Sequence, residues 1–254
     1  MMNRLILAGT AALMMTASAV ADVTSEERFT FTLEQGGRFG LDNINGDVTV
    51  TGGPGDTIEV LARKKANDQE TLDGIEILVD EQFDSVRIET KHPEKKGFFG
   101  FGKSSNGAQV TYTVTVPSWA ELDSIDSVNG GIRISGVDGP IEAETVNGGI
   151  EVEGASNDLD LETVNGSIEA RLTVLTGSQD LDAESVNGKI TLYLPESIDA
   201  YIKAETVNGG IDADDYGLKA DKGFVGHDLE GEVGDGSARV KLSTVNGGIK
   251  LRRD

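Results

Sequence analysis

The 254-residue chain has no cysteine, few prolines (5), few aromatics (8 Phe, 4 Tyr, 1 Trp) and half as many basic as acidic residues, 22 against 44. Each shortage excludes something. Without cysteine there is no thiol nucleophile, zinc ribbon, iron–sulfur centre or disulfide scaffold. With a net charge of -22 and a pI near 4.3 the surface repels phosphate backbones, which excludes nucleic acid as a partner. Scarce aromatics beside 33 glycines argue against a thick core and for short strands joined by tight turns. The length admits one sizeable domain or two small ones.

Residues 1–21 read as an address. Met1 to Arg4 carries one positive charge, Leu5 to Met15 is apolar, and two overlapping A-x-A sites follow at Ala17–Ala19 and Ala19–Ala21. This is the layout of a secretory signal peptide cleaved near Ala21, and the apolar run is too short for a transmembrane anchor. Cleavage removes only Arg4 among the charged residues, taking the net charge from -22 to -23. An exported product is expected, in the periplasm, at the cell surface or outside the cell, and the lack of cysteine is compatible with that oxidising space.

The dominant feature is a hexapeptide. Ser127-Val128-Asn129-Gly130-Gly131-Ile132 recurs at 145–150, 163–168, 185–190, 206–211 and 244–249. Its asparagines, Asn129, Asn147, Asn165, Asn187, Asn208 and Asn246, are spaced by 18, 18, 22, 21 and 38 residues. An earlier relative is Asn43-Ile44-Asn45-Gly46. Apolar residues alternate on both sides, Leu159 and Leu161 before Asn165, Ile168 and Ala170 after it. Period-two alternation repeated every 18–22 residues predicts an all-β, single-domain β-solenoid (β-helix) in which each repeat is one coil. Stacked coils put like residues about 4.8 Å apart, so Val, Ile and Asn ladders account for the repetition. The glycine after each asparagine is expected to permit a left-handed corner. The Thr/Ser column is expected to hydrogen-bond along its own stack. The 38-residue gap reads as two periods with one degenerate copy. Residues 22–122 are expected to form irregular coils with one helical turn near Asn67–Asp73, and residues 123–254 the regular Val-Asn-Gly coils.

The chain resembles the bacterial "putative adhesin" family, a domain of unknown function. The resemblance rests on Leu41-Asp42-Asn43-Ile44-Asn45-Gly46-Asp47-Val48-Thr49-Val50, Val114-Thr115-Val116-Pro117, the Thr-Val-Asn-Gly series and Gly234-Asp235-Gly236-Ser237-Ala238-Arg239. It covers nearly all of residues 22–254 and implies an adhesin-like β-solenoid, an exported module linked to the cell envelope. It carries over no catalytic residues.

Three constellations look like chemistry. Gly97 to Ser104 spells the phosphate-binding pattern G-x-x-x-x-G-K-S, but a strand instead of a helix is expected after it, so the match reads as chance. The same stretch concentrates Lys95, Lys96, Phe98, Phe99, Phe101 and Lys103, a cationic, aromatic candidate contact loop for an anionic envelope component or cell-surface polymer. Glu144, Glu162, Glu184 and Glu205 share one outward column, a candidate set of Ca2+ ligands, although a solvated face that keeps strands soluble explains them as well.

The expected function is a non-catalytic structural or interaction module of the envelope, with no cofactor and no catalytic residue. The alternatives are a polysaccharide-acting β-helix enzyme and a weak Ca2+- or carbohydrate-binding surface protein. His92 and His227 are the only histidines and lie in different segments. The last strand-like run ends close to residue 254, so an open final coil, guarded by Lys250, Arg252 and Arg253, is expected to allow edge-to-edge homo-oligomers.

Overall fold

The computed structural model describes residues 22–93, 107–223 and 225–254. Residues 1–21, where a signal peptide is expected, the candidate contact loop with Lys95, Lys96, Phe98, Phe99, Phe101 and Lys103, and the G-x-x-x-x-G-K-S stretch lie outside the described residues.

The chain begins with β1 (Val23–Thr32), β2 (Arg38–Asn45), β3 (Val48–Gly53) and β4 (Thr57–Ala66). A single helical turn, α1 (Gln69–Asp73), then leads to β5 (Glu76–Glu81), β6 (Ser85–Lys91) and β7 (Gln109–Pro117). The helix starts because the Asp68 carboxylate accepts from Thr71 N–H at 2.7 Å. The repeats supply β8 (Glu121–Asn129), β9 (Ile132–Ser135), β10 (Ile141–Asn147), β11 (Ile150–Ala155), β12 (Leu159–Asn165) and β13 (Ile168–Leu172). They continue with β14 (Asp180–Ser185), β15 (Ile190–Leu194), β16 (Ala200–Thr206) and β17 (Ile211–Asp212). A short 3-10 turn, Asp214–Tyr216, which the repeat pattern did not foretell, precedes β18 (Asp221–Lys222), β19 (His227–Val233), β20 (Ala238–Thr244) and β21 (Ile249–Arg253).

Each repeat folds as one strand on either side of the Asn-Gly corner, and the two strands enter two different sheets. The first sheet has ten strands in the order β1-β4-β7-β3-β9-β11-β13-β15-β21-β17. The second has eleven, β18-β19-β16-β20-β14-β12-β10-β8-β2-β6-β5. Through the repeats the pairing is parallel and in register: Leu159 faces Leu181, Leu161 faces Ala183, and Ile168 faces Ile190. Inward residues such as Leu161, Ile168 and Ile190 are at most 1% exposed, so a continuous apolar core runs between the sheets. The fold is therefore the expected β-solenoid. Coil β2–β3 belongs to the regular stack, beside β8–β9, and β6–β7 adds a further coil next to it. Antiparallel strands β1, β4 and β5 then edge the two sheets. Tyr112, buried and donating or accepting at 2.7 Å with Thr90 Oγ1, fills the core at this end, and burial pushes its phenol up to about 12.

The other end departs from simple stacking. After β16–β17 the chain does not add a degenerate coil. It turns back as β19, antiparallel to β16, and then returns as β20–β21 between β14–β15 and β16–β17. The last coil is thus interior, and the expected open final edge does not exist. Arg252 is ion-paired to Asp212, and Arg253 N–H donates to Asp215 at 3.0 Å, so these residues fasten neighbouring segments instead of guarding an edge. The Gly234–Ser237 turn that makes the return possible has Gly234 and Gly236 at φ 73° and 72°, and the Asp199 carboxylate accepts from Ser237 N–H and Oγ at 3.1 and 3.0 Å. These bonds hold the Asp199 carboxyl below the ordinary aspartate value.

Candidate ladder groove

Within Thr-Val-Asn-Gly each position does one thing. The Thr/Ser side chains point inward and are 2–4% exposed. They do not bond along their own stack, as the sequence suggested, because a better acceptor is nearer. Thr145, Thr163, Ser185, Thr206 and Thr244 each donate to the glycine carbonyl of an adjacent coil, at 2.8–3.0 Å. Asn43 stands at this position in the first coil, and its Nδ2 donates at 2.9 Å to Gly46 O, which leaves Ser127 Oγ without a partner.

The asparagines form one amide ladder. From Asn208 the Nδ2 donors reach Asn246, Asn187, Asn165, Asn147, Asn129 and Asn45 in turn, at 2.8–3.0 Å. Asn45 extends the six predicted members, and its Nδ2 donates to Ala108 O at 3.2 Å and approaches His92 Nδ1 at 3.4 Å. The order 187, 246, 208 repeats the interleaving of the last coil. The ladder is architecture: every rung is used by its neighbours.

The valine points outward. Ile44, Val128, Val146, Val164, Val186, Val245 and Val207 form a row, each 36–44% exposed. Two residues earlier in each coil, on the other side of the buried threonine, runs the carboxylate column. In-register pairing aligns Asp42, Asp126, Glu144, Glu162 and Glu184, then Ser243, then Glu205. Glu205 therefore does not stack on Glu184, because β20 intervenes. Asp42, Asp126 and Glu89, which the hexapeptide pattern did not single out, complete the acidic side. Between the two rows lies a groove of about 550 Å³ whose lining contains six carboxylates, Asp42, Glu89, Asp126, Glu144, Glu162 and Glu184, and, among the described residues, no lysine or arginine.

Like charges at ladder spacing raise the proton affinity of this wall. Burial, then the charges of Glu144, Asp160 and Glu184, push Glu162 up, and burial and Asp182 do the same to Asp160. Asp126 is pushed up to about 6, first by burial and then by the facing Asp42, against a 2.6 Å bond from Ser124 Oγ that favours its charged form. Arg87 neutralises Asp42 through two bonds of 3.0 and 3.1 Å, and Lys241 bridges Asp182 and Glu184 at 2.8 and 2.6 Å. A carboxyl whose folded pKa is raised stabilises the fold when protonated, and that contribution is lost as pH rises through the folded value. We therefore expect Asp126→Asn to raise stability at pH 7 by about 1 kcal/mol, after allowing for solvent screening of the pair. It should also flatten the gain that the native chain shows as pH falls from about 6 to about 4. Chemical denaturation at a series of pH values measures both.

Among the described residues no group of three or more His, Asp or Glu side chains is arranged to hold a metal ion. Nor do the histidines share a site. His92 lies beside Asn45 at one end of the amide ladder, and His227 Nδ1 lies 2.8 Å from Gly209 O at the other. Burial lowers the pKa of His92. No helix among the described residues is long and apolar enough to cross a membrane.

Fold and groove together define a class: a parallel β-solenoid whose corners are tied by an amide ladder and whose outer face carries an apolar row beside an acidic one. The family model described as "Toastrack DUF4097" matches residues 124–252, which is half of the chain, and the chain belongs to that family. No curated protein matches it. Among solved structures it is similar to a "putative cell adhesion protein" from Clostridium sporogenes, with 14% identity over 91% of this chain and 100% of that one and a TM-score of 0.47. A "putative adhesin" from Bacteroides fragilis follows at 12% identity, 89% and 97% coverage and a TM-score of 0.45. A "putative lipid binding protein" from Parabacteroides distasonis has 12% identity, 89% and 96% coverage and a TM-score of 0.35.

Proposed function

We propose that this protein is an exported, non-catalytic interaction module of the cell envelope, and that the ladder groove is where it takes its partner. The supporting observation is a row of seven outward aliphatic side chains beside a wall of carboxylates in which Asp42, Glu89 and Glu184 have basic partners while Asp126, Glu144 and Glu162 form no ion pair among the described residues. An isolated exposed valine means nothing, but a continuous row in a groove marks a contact surface. The ligand that fits is cationic and aliphatic on one face, such as an amphipathic helix whose 5.4 Å turns run along rungs about 4.8 Å apart. Approach of its ammonium or guanidinium groups relieves the repulsion that, after burial, raises Glu162 and Asp126.

A fluorescent Lys/Leu amphipathic peptide provides the test. It should bind the native chain more weakly as salt rises. Val146→Asp and Val164→Asp should each weaken binding by about tenfold or more while leaving thermal unfolding nearly unchanged, because both positions face solvent. A peptide with Glu in place of Lys should not bind. Equal binding of both peptides, or unchanged binding by the two variants, contradicts the reading.

A further inference from the structure

The two sheets end in four edges among the described residues, and three of them are closed to pairing. β17 and β18 have two residues each, too short to template another strand, and residues 229–233 of β19, which β18 leaves uncovered, carry Glu230 and Glu232 with no base. β5 is longer, but its charged residues are Glu76, Asp80 and Glu81 with no base, so self-pairing gathers like charges. β1 is different. It has ten residues, contains no proline, and among the described residues pairs only with β4. Its odd-numbered side chains face the core but are only half-buried, including Val23, Phe29 and Phe31, and the two phenyl rings stack at 6.3 Å. The open backbone edge and the incompletely covered aromatic margin coincide.

We propose that β1 is the site at which a second copy of this chain adds its own β1, antiparallel, to continue the ten-stranded sheet across a two-fold axis. The charge pattern selects the occupant and the register. Directly opposed residues of an antiparallel pair lie on the same face, so the two-fold must pass through a residue. Each of the three central registers opposes one like-charged pair at its centre; centred on Glu26 it leaves Arg28 against Thr24, and centred on Arg28 it leaves Glu26 against Thr30, so neither gains an opposite-charge pair. Centres at Ser25 or Phe29 shorten the paired stretch. Centred on Glu27 it sets Glu26 against Arg28 of the second copy twice over, Thr24 against Thr30, and Val23 against Phe31.

The side chains are in place for this. Glu26 and Arg28 are exposed, with 48% and 69% of their side-chain surface open. Glu26 already accepts from Arg63 on β4 at 2.9 Å, so the added Arg28 extends an alternating row of charges. The opposed Glu27 residues face inward, where Lys64 is ion-paired to Glu27. Opposite-charge and Thr–Thr pairs are the cross-strand contacts that favour a pairing, and like charges directly opposed disfavour it.

The test is charge exchange, read by light scattering or sedimentation. The native chain should be a dimer in a concentration-dependent equilibrium. Glu26→Arg and Arg28→Glu should each weaken dimerisation by about tenfold or more, since each opposes like charges twice. The double variant E26R/R28E should recover the dimer, and an equal mixture of the two single variants should form the heterodimer. Thermal unfolding of each variant shows that it is folded, and Arg28→Glu retains the Glu26–Arg63 pair, so it reports on the edge even if Glu26→Arg is less stable. A native chain that stays monomeric at every soluble concentration overturns the proposal. So do single variants that dimerise as well as the native chain, or a folded double variant that remains a monomer.

Discussion

Gly166→Ala is expected to destabilise the protein by about 3 kcal/mol or more, as overpacking that only backbone movement can relieve. A Cβ at Gly166 would stand 1.7 Å from Gly148 O, and no rotamer change removes that overlap because the obstacle is main chain. The same carbonyl accepts the Thr163 hydroxyl, so pushing the coils apart also strains a partly buried hydrogen bond of 2.9 Å. The column behaves alike throughout: at Gly130, Gly148, Gly188, Gly209 and Gly247 an added Cβ would lie 1.6–2.1 Å from a neighbouring glycine carbonyl. For a chain of this size the shift in Tm should be about 6–12 °C or more. Gly131→Ala, one residue further on, is the control. Its Cβ would meet nothing closer than 3.5 Å, and the chain itself places Asp47, Ser167 and Lys189 at that position. Melting followed by circular dichroism should separate the two variants clearly.

This corrects the reason for the glycine. The Asn-Gly dipeptide suggests a left-handed corner, yet among the corner glycines only Gly46 has positive φ, at 117°. Elsewhere the demand is closeness between coils, an interaction with a residue 18 or more positions away, which a local reading of turn chemistry does not contain. The threonine column failed in the same way. Its acceptor belongs to another coil, so the spacing of threonines alone could not reveal it. By contrast, the asparagine ladder and the inward Leu and Ile columns were legible, because in-register stacking joins each residue to its own repeat.

The groove was half legible. The glutamates at 144, 162 and 184 could be placed in one column from the period alone, and so could the valines beside them. What the period did not show is that valine faces water and threonine faces the core. Hydrophobicity would assign them the other way, but the carbonyl that the threonine satisfies outweighs the burial of a few methyl groups. Asp42 and Glu89 went unnoticed because they lie before the regular repeats begin and join the column only through pairing of β8 with β2 and of β2 with β6, whereas Asp126 stands before Ser127 as Glu144 stands before Thr145 and was within reach of the period.

The order of the last coils was not legible at all. Spacings of 21 and 38 residues are compatible with simple succession and with interleaving. The deciding contacts are the Asp199–Ser237 turn and the ion pairs of Arg252 and Lys241, all formed between distant segments. Interleaving gives the groove and the ladder their continuity: Val245 and Asn246 fill the place between the coils of Val186 and Val207. It also buries the C-terminal strand between two others, as a latch that closes the stack.

The absence of cysteine makes this testable without background. Glu184 and Ser243 are in-register neighbours on β14 and β20, whereas Glu205 lies one strand beyond Ser243. Neighbouring strands are about 4.8 Å apart and next-nearest strands about twice that, while a disulfide needs Cα atoms within about 7 Å. Cysteine pairs placed at 184 and 243, and separately at 184 and 205, should therefore behave oppositely under mild oxidation, read by the mobility of the unreduced chain and by mass spectrometry. The interleaved solenoid predicts rapid, near-complete closure of the 184–243 pair and none of the 184–205 pair. Closure of 184–205 with 184–243 left reduced would contradict it.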